Sequence, residues 1–239
     1  MKIALLGTGA GARAHVAKLL ALGHQVTVGT RDPEVTLART EPDMMGTPPF
    51  STFLAKHPEL TLATFADAAA AGELVINGID GINAVRALSA IPAEALAGKV
   101  LMDYAVPYIY QQPDEVEHPW PTPWGVMPRM SPVDTDSLAE QIQRAVPDAK
   151  VVKACVTQEQ ETVVNPNEIG GGDHTIFIAG NHADAKQTVA DLLNAYGWRD
   201  ILDLGELPAA RGLEMYAHFH AAVHTALGGE RFGVKIVRK

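Results

Sequence analysis

The chain opens with "MKIALLGTGAGARA", an apolar run that stops at Gly7 and gives way to apolar residues at helical spacing through "RAHVAKLLALGH". A strand, a glycine turn and a helix in that order commit the next strand to lie parallel to the first, because a crossover helix returns the chain to the same edge. "QVTVG" follows as that strand. The alternation then continues: strands at 61–65, 73–78, 98–105, 150–156, 174–180 and 200–205, separated by helical segments such as "GINAVRALSAI" and "ADAKQTVADLLNAYG". This rhythm predicts an α/β fold, a Rossmann-type doubly wound parallel sheet. Residues 1–157 are expected to form its nucleotide-binding domain and 158–239 a smaller C-terminal α/β part carrying the acceptor side and a dimer contact. The long helix "AARGLEMYAHFHAAVHTALGG" and a strand-like "FGVKIVRK" close the chain.

Within the turn, Gly7, Gly9, Gly11 and Ala12 fit G-x-G-x-x-G/A. The first glycine permits the tight turn, the second lets a pyrophosphate reach the backbone, and the small fourth residue allows close packing of helix on strand. The helix start supplies unpaired N–H groups and a positive dipole end. A dinucleotide is the expected ligand. At the end of the second strand, where NAD-binding proteins place an acid for the ribose 2′-hydroxyl, this chain has Thr30 and Arg31. A hydroxyl and a guanidinium both donate to phosphate oxygens, which favours NADP(H). The competing reading makes Asp32 the ribose acid and Arg31 a solvated charge.

Composition narrows the partners. Against 19 Lys+Arg stand 28 Asp+Glu, a net charge of −9, so nucleic acid and anionic membrane surfaces are poor partners. No segment approaches the roughly 18 uninterrupted apolar residues of a membrane span. The single cysteine, Cys155, leaves no internal disulfide and fits a reducing compartment, so a cytoplasmic protein is expected. The stretch 108–132, "YIYQQPDEVEHPWPTPWGVMPRMSP", has six prolines and no period, and reads as a loop that either covers a site or forms a surface contact.

These residues resemble a family: the NADP-dependent reductases of the deazaflavin coenzyme F420, together with bacterial NAD(P)-binding proteins similar to them. The likeness lies in the opening "MKIALLGTGAGARA", "LGHQVTVGTRDP", "LVING" at 74–78, the blocks at 136–154 and 171–214, and the terminal "FGVKIVRK". It implies hydride transfer between NADPH and F420 in a homodimer, with the two rings stacked where the two parts of the chain meet. Carried over by motif, Gly7, Thr8, Gly9, Ala10 and Gly11 hold the pyrophosphate, Thr30 and Arg31 the 2′-phosphate, and Asn77 and Gly78 line the nicotinamide side. Pro107 is grouped with these cofactor positions, although Val106 stands where the family has an asparagine.

Hydride exchange between two rings needs them held face to face with water excluded, and no protein acid is compulsory. A different acceptor, such as a flavin, a quinone or a carbonyl or imine metabolite, is the alternative. For a carbonyl or imine, His174, Tyr104, Tyr108 and Tyr110 are the candidate proton donors. A non-catalytic NADP-sensing protein is a third reading. His218, His220 and His224 with Glu214 raise a metal site, against which packing in a buried helix is preferred. The terminal basic residues Arg231, Lys235, Arg238 and Lys239 are either a solvated end or an attraction for an anionic cofactor tail.

Overall fold

The computed structural model describes every residue except Met44, Pro123 and Trp124. In chain order the elements are β1 (Lys2–Leu6), α1 (Ala10–Ala21), β2 (Gln25–Thr30), α2 (Pro33–Ala38), α3 (Phe50–Leu54), β3 (Thr61–Thr64), α4 (Phe65–Ala71), β4 (Leu74–Asn77), α5 (Gly81–Ser89), α6 (Ala93–Leu96) and β5 (Val100–Asp103). Four two-residue strands follow, β6 (Tyr108–Ile109), β7 (Pro121–Thr122), β8 (Gly125–Val126) and β9 (Arg129–Met130). The rest is α7 (Leu138–Ala145), β10 (Lys150–Ala154), α8 (Gln160–Val164), β11 (Thr175–Gly180), α9 (Ala183–Tyr196), β12 (Asp200–Asp203) and α10 (Ala210–Ala226).

Eight strands form one sheet in the order β12-β11-β10-β5-β4-β1-β2-β3. The six from β3 to β10 are parallel, and β11 joins β10 antiparallel with β12 parallel beside it. The sheet is of Rossmann type, and its chain order reverses between β1 and β4, the place where such sheets open a crevice at their carboxyl ends. Helices cover both faces, so central strands are apolar throughout: Ile3 to Leu6 and Leu74 to Ile76 are each at most 1% exposed. One core cluster joins β1, β2 and β10 to α1 and α9, and the other joins the sheet to α4, α5 and α7.

Two expectations are corrected. The stretch 108–132 is not without regular structure: β6 pairs with β9 and β7 with β8, both antiparallel, giving a folded-back ribbon. Strands of two residues carry no readable period, so sequence pattern could not reveal them. The terminal "FGVKIVRK" forms no strand. It is tied instead by Thr175 N–H to the Val234 carbonyl and by ion pairs from Arg231 to Glu168, Lys235 to Asp173 and Arg238 to Asp200. Three of the four terminal basic residues are thus engaged with acids on the fold's own surface. No described helix is long and apolar enough to cross a membrane.

A buried ionic network locks the strand ends to the last helix. Lys153 on β10 is fully buried and donates to Asp103 at 2.7 Å and to Glu214 of α10 at 2.9 Å, and also to the Ala105 carbonyl. Burial alone would strip its charge, but the Asp103 and Glu214 carboxylates outweigh that and raise its pKa. Asp103 Oδ1 accepts from Asn77 Nδ2 at 2.7 Å, and Glu214 accepts from the backbone N–H groups of Leu138 and Ala139 at the start of α7. Removing one partner of such a set leaves the others buried and uncompensated. Lys153→Met is therefore expected to cost about 3–5 kcal/mol in urea unfolding; a loss below about 1 kcal/mol would mean the network does not hold the fold.

Candidate active site at the carboxyl edge of the sheet

Gly7 leaves β1 at φ +127°, a backbone angle that disfavours any side chain, and a Cβ there would lie 2.4 Å from the Gly78 carbonyl oxygen. The β1 and β4 turns therefore touch through bare backbone. Gly9, the N-cap of α1, has φ −70° and ψ 179°, and a Cβ there would meet nothing within 4 Å. No side chain caps α1, so its first N–H groups remain available. Thr8 adds its carbonyl to the turn, accepting from Arg13 Nε at 3.0 Å. Ala10 is exposed and Gly11 half-buried, and a Cβ on Gly11 would meet Gln160 Cγ at 2.8 Å.

At the end of β2, Thr30 is buried and its hydroxyl is bonded to Thr36 Oγ1 at 2.8 Å. Asp32 Oδ1 caps α2 by accepting from Val35 N–H. That engagement argues against Asp32 as a ribose ligand. Arg31 is exposed and shares a groove of about 430 Å³ with Arg86, Asn83, Thr64 and Phe65. Arg86 Nη2 donates to Asn83 Oδ1, and among the described residues neither arginine has an acidic partner.

Asn77 is wholly buried, with Nδ2 on Asp103 and Oδ1 accepting from Ile79 N–H at 3.2 Å. Its side chain shapes the turn that presents Gly78. Tyr104 crosses this turn so closely that a Cβ on Gly78 would lie 2.1 Å from the Tyr104 hydroxyl. Pro107 is buried, packs with Val106 against Gly81 at the start of α5, and accepts from Ser131 N–H at 3.0 Å.

Beside the glycine turn lies a cleft of about 410 Å³, a size suited to a small-molecule ligand. Ala10 and Gly11 form one wall, Tyr108, Tyr110 and Pro128 of the ribbon another, and Gln158, Glu159 and His220 a third. The ribbon thus borders the cleft, and Trp120 anchors it edge-on to His218 of α10 at 6.1 Å. Trp124, read from the sequence as part of a lid, lies outside the described residues. Under the cleft, Tyr104 stacks on His15 with ring centroids 5.0 Å apart. Burial holds His15 neutral, lowering its pKa to about 4. Gln160 Nε2 donates to the Cys155 carbonyl, so its Oε1 accepts from His15 Nε2 at 2.8 Å, and His15 Nδ1 is left to accept from Tyr196 at 3.0 Å.

Several sequence candidates lie elsewhere or in other roles. His174 is buried against Trp198, donates from Nε2 to the Pro166 carbonyl at 2.9 Å, and does not line the cleft. Glu214 belongs to the Lys153 network, His224 pairs with Glu159 at 2.9 Å, and His220 stacks on Phe232. Tyr104, Tyr108 and Tyr110 all reach the cleft. Gln158, Gln160 and His15 carried no motif that would single them out.

The first two glycines of the turn should separate under mutation. Gly7→Ala is expected to destabilise by roughly 1–3 kcal/mol or more through strain and the clash with Gly78, whereas Gly9→Ala should leave the melting temperature unchanged. Equal melting temperatures for both variants would contradict the assigned backbone.

Comparison with known proteins places this geometry. The family model described as "NADP oxidoreductase coenzyme F420-dependent" matches residues 2–107, which include the glycine turn and the ends of β2, β4 and β5. An inferred F420-dependent NADP reductase from Arthrobacter sp. FB24 is 47% identical, with all of each chain covered and a TM-score of 0.89. Metalloreductase STEAP3 of Rattus norvegicus is 27% identical over 214 residues, 89% of this chain, which spans 36% of that protein's length. An imine reductase from Aspergillus terreus in complex with NADPH4 shares the fold at 17% identity, TM-score 0.58, over 95% of this chain and 62% of its own. The identity to the Arthrobacter protein across the whole length shows that this chain belongs to the coenzyme F420-dependent NADP oxidoreductases, a family of NADP-dependent oxidoreductases.

Proposed function

We propose that the protein transfers hydride between NADPH and the deazaflavin ring of coenzyme F420, with the nucleotide along the carboxyl edge of the sheet and the acceptor in the aromatic-walled cleft. The observation that carries this reading is the continuity of the two: Ala10 and Gly11 belong both to the glycine turn and to the cleft wall. The residues present fit the nucleotide. Gly9 leaves open the space a Cβ would fill, the uncapped α1 offers N–H groups to a pyrophosphate, and Arg31 and Arg86 share a groove suited to a 2′-phosphate. Thr30, bonded to Thr36, supports the backbone from which Arg31 extends.

When bound, the nicotinamide and deazaflavin rings supply the hydride chemistry. The chain's own part is to hold, orient and dry the site. Gly78 presents backbone toward the nicotinamide side, kept in place by Asn77 and roofed by Tyr104. Tyr108, Tyr110 and Pro128 exclude water from the cleft, and neutral His15 fixes Tyr104 by stacking beneath it. A second reading, another acceptor such as a flavin, a quinone or a small carbonyl or imine, draws on one specific feature. Glu159 and Glu161 line the cleft with no lysine or arginine among its described lining residues, an electrostatic setting that disfavours an anionic coenzyme tail. For a carbonyl or imine, Tyr104, Tyr108 and Tyr110, which all line the cleft, would be the candidate proton donors.

Mixing the protein with NADPH and oxidised F420 should bleach the deazaflavin absorbance, with NADH and FMN inactive as controls. Bleaching absent while NADPH binds tightly would move the reading to another acceptor. Arg31→Ala and Arg86→Ala should each weaken NADPH binding about tenfold, the loss of a charge-assisted contact, and leave NADH unchanged. Equal losses for both nucleotides would remove the 2′-phosphate assignment.

A further inference from the structure

Three residues lining the cleft hold buried polar atoms with no partner among the described residues: Gln158 at both Nε2 and Oε1, Tyr104 at its hydroxyl and His220 at Nε2. Gln158 is the sharpest case. The residue is 4% exposed, and its carboxamide, two donors and an acceptor, pairs with no other described residue. Folded proteins leave few such groups unpaired, because each costs about 1–3 kcal/mol once removed from water. Gln160, two residues on, shows the contrast: its Oε1 accepts from His15, and its Nε2 donates to the backbone carbonyls of Cys155 and Gln158. Gln158, by contrast, is buried against the cleft with its carboxamide unpaired.

The chemistry of the unpaired atoms is uniform. The carboxamide and the phenol are uncharged, and His220 is kept neutral by burial and by the neighbouring His224, its pKa lowered to about 4. The charged groups lining the cleft are Glu159, already paired with His224, and Glu161. Such a lining does not recognise a carboxylate or phosphate. It suits a flat, uncharged ring with donors and acceptors on its edge, and the walls of Tyr104, Tyr108 and Tyr110 supply aromatic surface for such a ring.

We infer that Gln158 is the specificity-determining residue of the cleft, its carboxamide pairing with an amide-type edge, a carbonyl oxygen beside an N–H, on an uncharged planar ring. This rests on the hydride-transfer reading, since that reading places such rings in the cleft. Two sources carry the edge: the pyrimidinedione of a flavin or deazaflavin, and the carboxamide of the reduced, uncharged nicotinamide.

The test uses four probes on the whole protein. 5-Deazariboflavin and its N3-methyl derivative, which lacks the N–H, are titrated by fluorescence; NADPH and the reduced 3-acetylpyridine analogue, which lacks the amide nitrogen, are titrated by calorimetry. Wild-type protein is expected to bind 5-deazariboflavin about tenfold or more tightly than the N3-methyl form, and Gln158→Leu, checked by its melting temperature, to bind the two alike. If the preference lies instead between the two nucleotides and vanishes in Gln158→Leu, the proposal stands with nicotinamide as the source. The wild-type comparison needs no variant, so poor folding of Gln158→Leu leaves the proposal exposed to it. Indifference of the wild type within both pairs, a preference that survives Gln158→Leu, or no binding of any probe overturns it. Failure of the hydride-transfer reading looks different: NADPH would reduce no acceptor while these affinities stayed as predicted.

Discussion

The ammonium group of Lys153, held between Asp103 and Glu214, is the contact on which the site's geometry depends. It sits where β5 and β10 end and reaches across to α10. Those elements carry three parts of the cleft: Tyr104 and Tyr108 follow β5, Gln158 and Glu159 follow β10, and Ala217 and His220 lie on α10. Through Asn77 the same network reaches the β4 turn at Gly78, and through Glu214 it caps α7. Desolvating three charges is costly, and an apolar set could pack as well or better. What the ionic set adds is direction, since each hydrogen bond fixes the position of one chain segment relative to the others.

Above that lock, the turns after β1 and β4 meet without side chains. Gly7 faces the Gly78 carbonyl, and Gly78 faces the Tyr104 hydroxyl. Close backbone contact at the topological switch point leaves a shallow crevice with exposed N–H groups on one side and aromatic surface on the other. The antiparallel ribbon of 108–130 then rises from the end of β5 and packs on α10 through Trp120, so the cleft is enclosed by structure that a plain doubly wound sheet lacks. On the proposed reading, nucleotide recognition and acceptor recognition sit on separate parts of the chain that share the wall formed by Ala10 and Gly11.

The alternating strands and helices and the glycine turn were legible in the sequence because each rests on short-range pattern: apolar runs at strand length, glycines at fixed spacing, helices at a 3.6 period. Thr30 and Arg31 stood out for the same reason, by position after a strand. Lys153 did not. In "KVVKACV" it is a single charge in an apolar run with no motif around it, and only the three-dimensional meeting with Asp103 and Glu214 makes it a core residue. Gln158 was hidden likewise, one polar residue in the polar run "TQEQET", its significance arising from a partner it lacks. The ribbon escaped because two-residue strands leave no period, and the terminal tail read as a strand because "VKIV" has strand composition while its binding to the fold is by ion pairs and single hydrogen bonds.

The central claim is that one nucleotide runs from the Arg31 groove across the glycine turn to the cleft. A crystal structure of the protein with NADP+ tests it most directly. The account predicts the 2′-phosphate between Arg31 and Arg86, the pyrophosphate on the N–H groups of residues 9–11, and the nicotinamide against Gly78 and Tyr104. A nucleotide bound with its 2′-phosphate away from Arg31, or with its nicotinamide outside the cleft edge, would contradict it.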